Sequence, residues 1–227
     1  MNSDPVLAAV ARRALEFVAD GMVVGLGTGR AATAFVEALG ERVQQGLLRV
    51  TGVPTSKATA AVAQRYGITL VGLGDVEGID VTIDGADEVD PQLNLIKGYG
   101  GALVPEKIVA AASRLEVILV GAEKLVPVLG QRGKLPVEVI PFAAPFCARQ
   151  LAKLGCRPHV RINSGQPFVS DSGNHILDCA IEPLLDPHRI ERDIRAIPGV
   201  VGTGLFLDMT DCVLVGEGSG VRELRRE

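Results

Sequence analysis

The feature that most constrains the fold is an alternation of short apolar runs with helical stretches over the first part of the chain. The runs "MVVGL", "LLRVTGV", "DVTI" and "EVILVG" are typical of buried strands, and stretches between them such as "AATAFVEALGERVQQ" have helical periodicity. Aromatic residues make up only 4% of the sequence, so Val, Leu, Ile and Ala must build the core. The alternation predicts an α/β fold, a mainly parallel open sheet flanked by helices, which is Rossmann-like.

The pattern changes after residue 130. Strand, helix, strand, strand, helix and strand follow one another, the order of the ferredoxin-like split βαβ arrangement. We therefore expect residues 131–206 to form a small α+β domain near the C-terminus. Residues 1–130 together with 207–227 are expected to form the catalytic α/β domain, which the strand "DCVLVGE" rejoins.

Charge and composition exclude several classes of function. The net charge is −4, and no basic run occurs apart from the terminal "RELRRE", so nucleic-acid binding has little electrostatic support. Arginines interrupt the N-terminus where a signal peptide would be apolar, and no run is long enough to cross a membrane. The four cysteines lack Cys-x-x-Cys spacing, which disfavours a zinc or redox site. The sequence predicts a cytoplasmic protein with a small-molecule partner.

A glycine-rich turn joins the first strand to a helix through Gly27, Thr28 and Gly29. A dinucleotide fingerprint requires a further glycine where Arg30 stands, and no acidic residue ends the next strand, so NAD is not expected. The turn suits a phosphate or a sugar hydroxyl, or it is only a tight turn. Ser56 opens the next helix at the same edge of the sheet, either as a ligand contact or simply as a helix cap.

The run "DGADEVD" gathers four carboxylates directly after the apolar strand "DVTI". Neighbouring carboxylates repel one another and resist burial, so this run needs an explanation. Asp84 leaves the strand at its carboxyl end, and we expect Asp84 and Asp87 to point toward a shared pocket. Glu88 and Asp90 are expected to face water.

Lys97 and Glu106 follow in "LIKGYGGALVPEK", with Glu106 in the first turn of a helix that begins at Pro105. A cation among carboxylates separates their pKa values, as acid/base chemistry requires. The run could be a solvated acidic turn, a magnesium site or a set of groups that move protons on a sugar phosphate. An Asp-x-Asp phosphatase fits poorly because the acids stand at Asp84 and Asp87.

Taken together, "GLGTG", "DGADEVD", "LIKGYGGAL" with "PEK", and "GKLPVEVIP" resemble ribose-5-phosphate isomerase of type A, in the same order over most of the chain. The resemblance implies an aldose–ketose isomerase that interconverts D-ribose 5-phosphate and D-ribulose 5-phosphate through an enediolate. It implies the non-oxidative branch of the pentose phosphate pathway, no metal or other cofactor, and a homodimer or homotetramer. A non-catalytic sugar-phosphate sensor, which could dispense with Glu106, and a metal-dependent hydrolase are the alternatives.

The resemblance also assigns roles to residues. It makes Glu106 the base that carries the proton between C1 and C2, and Asp84 the carboxylate for ring opening and hydroxyl proton transfer. Asp87 and Lys97 would hold the sugar and stabilise charge on its oxygens. The implied substrate contacts are Gly27, Thr28, Gly29, Ser56 and Lys124.

The chain departs from the family pattern at the expected phosphate site. Arg30 and Ala31 stand where the family usually has Ser-Thr, and Leu7 stands where a lysine often helps to bind phosphate. Because arginine binds phosphate in a bidentate manner, we expect Arg30 to replace the missing groups.

Overall fold

A computed structural model describes residues 4–218 and 220–226, which fall into two compact units. The first unit is built from the residues up to Ala86, from Pro105–Lys124 and from the segment after Met209. The second comprises Asp87–Val104 and Leu125–Asp208. This division differs from the predicted boundaries chiefly at 87–104. That segment groups with later residues because its short strands pair with one another and with Leu205–Phe206.

The described residues form six α-helices and sixteen strands, numbered along the chain. The helices are α1 (Pro5–Ala14), α2 (Arg30–Gln44), α3 (Lys57–Arg65), α4 (Leu103–Ala111), α5 (Ala144–Lys153) and α6 (Pro187–Arg195). The strands are β1 (Val23–Leu26), β2 (Thr51–Pro54), β3 (Thr69–Leu70), β4 (Val81–Gly85), β5 (Glu88–Val89), β6 (Leu95–Ile96), β7 (Glu116–Gly121), β8 (Lys134–Val139), β9 (Arg157–Val160), β10 (Ile162–Asn163), β11 (Gln166–Pro167), β12 (His175–Ala180), β13 (Val200–Thr203), β14 (Leu205–Phe206), β15 (Cys212–Glu217) and β16 (Gly220–Arg225).

The first unit contains a seven-stranded sheet in the order β16-β15-β7-β4-β1-β2-β3. All neighbours are parallel except β15 and β16, which form an antiparallel hairpin at one edge. Every residue of β7 is buried, as expected for a strand that is covered on both faces. Phe35 and Leu39 of α2 and Val10 of α1 pack into the core. The predicted parallel α/β sheet is confirmed, and β15 joins it as expected.

Parallel pairing brings the carboxyl ends of four strands to one edge of this sheet. Leu26 at the end of β1 is opposite both Pro54 of β2 and Ile83 of β4, while Asp84 is opposite Ile118 of β7. The segments that follow these strands therefore emerge next to one another, at the edge where open α/β sheets bind ligands. This edge positions the candidate site.

The second unit contains a four-stranded antiparallel sheet in the order β13-β8-β12-β9. With α5 between β8 and β9 and α6 between β12 and β13, the chain follows the split βαβ arrangement that the sequence predicts. Its core includes Leu135, Val137 and Leu177, and a smaller sheet has the order β14-β6-β5. All four cysteines of the chain are buried free thiols. No helix within residues 4–218 and 220–226 is long and apolar enough to cross a bilayer.

Candidate active site

A cluster of hydroxyl groups lies in the first unit, where the segments after β1 and β2 meet. The Oγ1 of Thr28 donates to Ser56 Oγ over 2.9 Å and lies 2.7 Å from Thr55 Oγ1 and 3.2 Å from Thr59 Oγ1. Thr59 Oγ1 in turn donates to the carbonyl oxygen of Gly27 over 2.8 Å. The structure thus brings the predicted residues Thr28 and Ser56 into direct contact.

Sequence reasoning missed Thr59, which is 3% exposed and links both segments. A signal for it exists in the capping pattern of α3. Ser56 is the N-cap of this helix, and its Oγ accepts a hydrogen bond from the backbone N–H of Thr59 over 3.1 Å. A residue three positions after an N-cap lies over the helix start, so its hydroxyl reaches the loop that the cap faces.

Asp84 is buried against the glycine-rich turn. Its Oδ1 accepts hydrogen bonds from the backbone N–H of Thr28 over 3.0 Å and of Gly85 over 2.7 Å, and the residue is only 1% exposed. A Cβ atom at position 27 would lie 2.3 Å from Asp84 Cγ, far inside van der Waals contact, which explains Gly27. The predicted carboxylate and the predicted turn therefore form one hydrogen-bonded site.

Glu106 and Lys124 belong to the same unit. Glu106 is 5% exposed and lies in the first turn of α4, where a carboxylate is favoured by the helix dipole. Later in α4, Val109 packs against Val53 and Ile79. Lys124 ends a short 3₁₀ turn that directly follows β7, at the carboxyl edge of the sheet. The first unit thus contains two buried carboxylates, Asp84 at the end of β4 and Glu106 in α4, and a partly exposed lysine after β7.

Arg30 is the first residue of α2, and its side chain is 83% exposed. Its Nη2 lies 3.4 Å from Oδ2 of Asp4, the residue that caps α1. The preceding Gly29 has φ +101° and ψ 179°, a conformation that is essentially restricted to glycine. Arg30 therefore stands at a helix N-terminus with its guanidinium in solvent and an acidic neighbour beside it.

Asp87 and Lys97 belong to the second unit. Oδ2 of Asp87 accepts a hydrogen bond over 3.0 Å from the backbone N–H of Tyr99, which stands two residues after Lys97 in the chain. Lys97 is 2% exposed, and its backbone N–H donates to the carbonyl oxygen of Gly204 over 2.8 Å. Its Nζ lies 5.4 Å from the ring centre of Phe206. The second unit therefore joins Asp87 to the turn that begins at Lys97.

The expectation that Glu88 and Asp90 face water is wrong. Glu88 is fully buried and accepts hydrogen bonds from the backbone N–H groups of Gly130 and Arg132 over 2.6 and 2.7 Å. Asp90 is 7% exposed, and its Oδ1 accepts from the N–H of Asn94 over 2.8 Å. Amide donors within the second unit replace the water that these carboxylates lose on burial, so both fix loops.

Within the described part of the chain, no group of three or more His, Cys, Asp or Glu side chains is arranged to hold a metal ion. The Asp84 carboxylate is held by backbone amides, and Asp87 likewise bonds a backbone amide. Amide donors orient a carboxylate for hydrogen-bonding and proton-transfer chemistry. Among the chemistries that the residues alone left open, this arrangement suits proton transfer.

Comparison with known proteins identifies close relatives along the whole chain. The family model described as ribose 5-phosphate isomerase A (phosphoriboisomerase A) matches residues 51–220. Ribose-5-phosphate isomerase A of Thermomicrobium roseum is 50% identical over 100% of this chain and 96% of its own length. The protein of that name from Gloeobacter violaceus is also 50% identical, over 99% of this chain and 97% of its own.

Solved structures agree with the sequence relatives. A D-ribose-5-phosphate isomerase in complex with phospho-erythronic acid has a TM-score of 0.95 and 39% identity, and the match covers 100% of both chains. Ribose 5-phosphate isomerase A of Methanocaldococcus jannaschii has a TM-score of 0.92 and 40% identity over 97% of this chain and 98% of its own.

Proposed function

The chain belongs to the ribose 5-phosphate isomerase A family, and from this membership we propose which of its residues carry out the reaction. The protein is an aldose–ketose isomerase that interconverts ribose 5-phosphate and ribulose 5-phosphate. The observation that carries the residue assignment is the buried Asp84 carboxylate, which is bonded to the glycine-rich turn in the unit that also buries Glu106. Two buried carboxylates allow two separate proton transfers.

The first proton transfer is assigned to Glu106. Its carboxylate removes the hydrogen from C2 of the open-chain aldose, the C–H electron pair forms the C1–C2 double bond, and the carbonyl oxygen on C1 gains the negative charge. The same carboxyl group then returns the proton to C1 as the carbonyl forms at C2. Burial of Glu106 in the first turn of α4 restricts the positions that its carboxylate can take.

The second proton transfer is assigned to Asp84. Opening of the sugar ring and movement of a proton between the oxygens on C1 and C2 require a group that can both accept and donate. Asp84 is fixed by the amides of Thr28 and Gly85, so its carboxylate starts from a single orientation. The hydroxyl cluster of Thr28 and Ser56 beside it supplies groups that match sugar hydroxyls.

Stabilisation of the negative charge on the enediolate oxygens is assigned to Lys97. Asp87 is assigned to hold the sugar. Lys97 is buried beside Phe206, where a cation is screened less by water and acts more strongly on a nearby anion. Gly27 and Gly29 give the substrate close access to the backbone of the turn. Lys124 contacts the substrate from the turn after β7.

Binding of the substrate phosphate is assigned to Arg30. Its exposed guanidinium at the start of α2 combines a full charge with the helix N-terminus, and both favour an anion. Asp4 competes with the phosphate for this guanidinium, because its Oδ2 lies 3.4 Å from Arg30 Nη2. Binding of the sugar phosphate would exchange one anionic partner of Arg30 for another.

We further propose a cytoplasmic homodimer or homotetramer. The second unit exposes large apolar side chains that a monomer would leave in water. The most exposed of these are Phe142 at 97% and Leu185 at 93%, followed by Ile162, Val169 and Ile140. Burying such groups against another copy of the chain would stabilise an oligomer.

The test is turnover of ribose 5-phosphate by the purified protein, with and without EDTA, in the wild type and in Glu106→Gln. The assignment predicts activity that EDTA leaves unchanged and that falls by about 10²- to 10⁴-fold in the variant, the range for loss of a general base. Glu77→Gln is the matched control, because Glu77 is an exposed glutamate of the same unit. Full activity in Glu106→Gln would show that another group carries the proton.

A further inference from the structure

Arg161 forms a partly buried ion pair in the second unit. It lies between β9 and β10, and its side chain is only 12% exposed. Its Nε donates to Oδ2 of Asp178 over 2.9 Å, and its Nη2 donates to Oδ1 over 2.5 Å. Two parallel hydrogen bonds to one carboxylate fix the plane of the guanidinium, and the same carboxylate lies 3.6 Å from Lys134 Nζ.

The remaining nitrogen of Arg161 reaches the turn that follows Lys97. Nη1 donates to the carbonyl oxygens of Gly98 and Tyr99, each over 3.1 Å. Gly98 has φ +104°, a conformation that favours glycine, so the turn depends on outside contacts to hold this shape. A lysine could not replace this arrangement, because its ammonium cannot bond a carboxylate in bidentate fashion and reach two carbonyls at the same time.

Two further contacts hold the same turn. The backbone N–H of Tyr99 donates to Asp87 Oδ2 over 3.0 Å. The ring of Phe168, whose centre lies 5.7 Å from the Arg161 guanidinium carbon, closes over Gly101, where a Cβ atom would lie 2.6 Å from the ring. Arg161 thus stands at the centre of a set of contacts that links the turn to Asp87.

We propose that Arg161 is a positioning residue for Lys97, an inference that rests on the proposed function of Lys97. By holding the carbonyls of Gly98 and Tyr99, Arg161 fixes the turn that begins at Lys97. Because all three guanidinium nitrogens of Arg161 are already bonded to Asp178 or to the turn, Arg161 does not bind the substrate phosphate. Its effect falls on the chemical step and leaves substrate binding nearly unchanged.

The test is steady-state kinetics of Arg161→Lys with ribose 5-phosphate. We expect kcat to fall by about 10- to 100-fold, because displacements near 1 Å reduce rates on that scale, while KM stays within about threefold. Arg157→Lys is the matched control, because Arg157 lies on the adjoining strand β9 and pairs with Glu182 at an exposed position. Arg157→Lys should leave both constants unchanged.

A second readout separates positioning from general stabilisation. In a Lys97→Met background, Arg161→Lys should lower the residual kcat by no more than about twofold, because the group that Arg161 positions is gone. Guanidinium ion added to Arg161→Gly should restore part of kcat, which loss of folding alone would not allow. If Arg161→Lys fails to fold, Asp178→Asn replaces it in the same assay. In that variant too, kcat should fall and KM should stay unchanged.

The outcomes distinguish this inference from the proposed function. Unchanged kcat in a folded Arg161→Lys, or a rise in KM at constant kcat, would overturn the positioning role. Fully additive losses in the Lys97→Met background would also overturn it. If Lys97→Met itself retains full activity, the failure lies in the proposed role of Lys97.

Discussion

Replacement of Gly27 by alanine tests the link between the glycine-rich turn and Asp84. The added Cβ would lie 2.3 Å from Asp84 Cγ and 2.6 Å from Asp84 Cα. Ordinary carbon–carbon contacts are about 3.5–4.0 Å, so the two segments must separate by more than about 1 Å. Asp84 cannot yield easily, because β4 is paired on both sides in the middle of the sheet. The turn must therefore move.

This movement has a calculable cost. The hydrogen bond from the Thr28 N–H to Asp84 Oδ1, now 3.0 Å, would be broken or strained. We expect kcat to fall about 10²-fold, the scale for a 1 Å misplacement of a reacting group. Overpacking should lower the free energy of unfolding by about 1–3 kcal/mol, which corresponds to about 2–4 °C in Tm for each kcal/mol.

The assay is steady-state turnover of ribose 5-phosphate at saturation, together with a thermal melt. Gly52→Ala is the matched control on β2, where the added Cβ would lie 2.7 Å from Leu26 Cδ1 and 3.0 Å from Leu70 Cδ2. These contacts involve the ends of flexible side chains, so this variant should lose stability and keep kcat. A Gly27→Ala enzyme with kcat within about threefold of the wild type would show that the contact between the turn and Asp84 does not control the chemical step.

Three other predictions follow from the site and its surroundings. Arg30→Ala should raise KM about tenfold, because it removes one charge-assisted contact to the phosphate. Asp4→Asn, which can still cap α1, should lower KM by removing the competing carboxylate. An unchanged KM in both variants would show that Arg30 does not bind the phosphate. Glu88→Gln should lower the free energy of unfolding by about 1–3 kcal/mol in denaturant titrations, because an amide cannot accept from both buried N–H groups as well as a carboxylate does. Burial and, after it, the nearby Glu88 and Asp87 carboxylates raise the pKa of Tyr99 above its ordinary value. The contribution of the neutral phenol to stability is therefore complete below the unfolded pKa of about 10 and is lost as the pH rises from there toward the higher folded pKa. Tyr99→Phe should flatten the fall in the free energy of unfolding above about pH 10, and parallel curves for the two proteins would contradict this.

Local patterns were sufficient to predict the parallel sheet and the proximity of the glycine-rich turn to Ser56 and Asp84. Apolar runs such as β7 are typical of buried strands. The residues at or just after the carboxyl ends of parallel strands, including Thr28, Ser56 and Asp84, meet because strand pairing requires it. The sequence could therefore place these side chains without knowledge of their contacts. The strength of the family motifs added the expected roles.

Contacts between distant segments could not be predicted. Glu88 reads as a solvated acid because its donors, the amides of Gly130 and Arg132, lie more than 40 residues later in the chain. The grouping of 87–104 with the second unit depends on two-residue strands that carry no periodic signal. The proposed role of Arg161 likewise depends on its contacts with Asp178 and with the turn after Lys97, and no local pattern connects these segments.

Glu106 is assigned as the group that carries the proton between C1 and C2. The most direct test is NMR of ribose 5-phosphate in D₂O with wild-type protein and with Glu106→Gln, following deuterium at C1 of ribulose 5-phosphate and at C2 of ribose 5-phosphate. Wild-type protein should exchange at these carbons during turnover, and Glu106→Gln should bind the sugar phosphate without exchange. Exchange at the wild-type rate in Glu106→Gln would contradict the account.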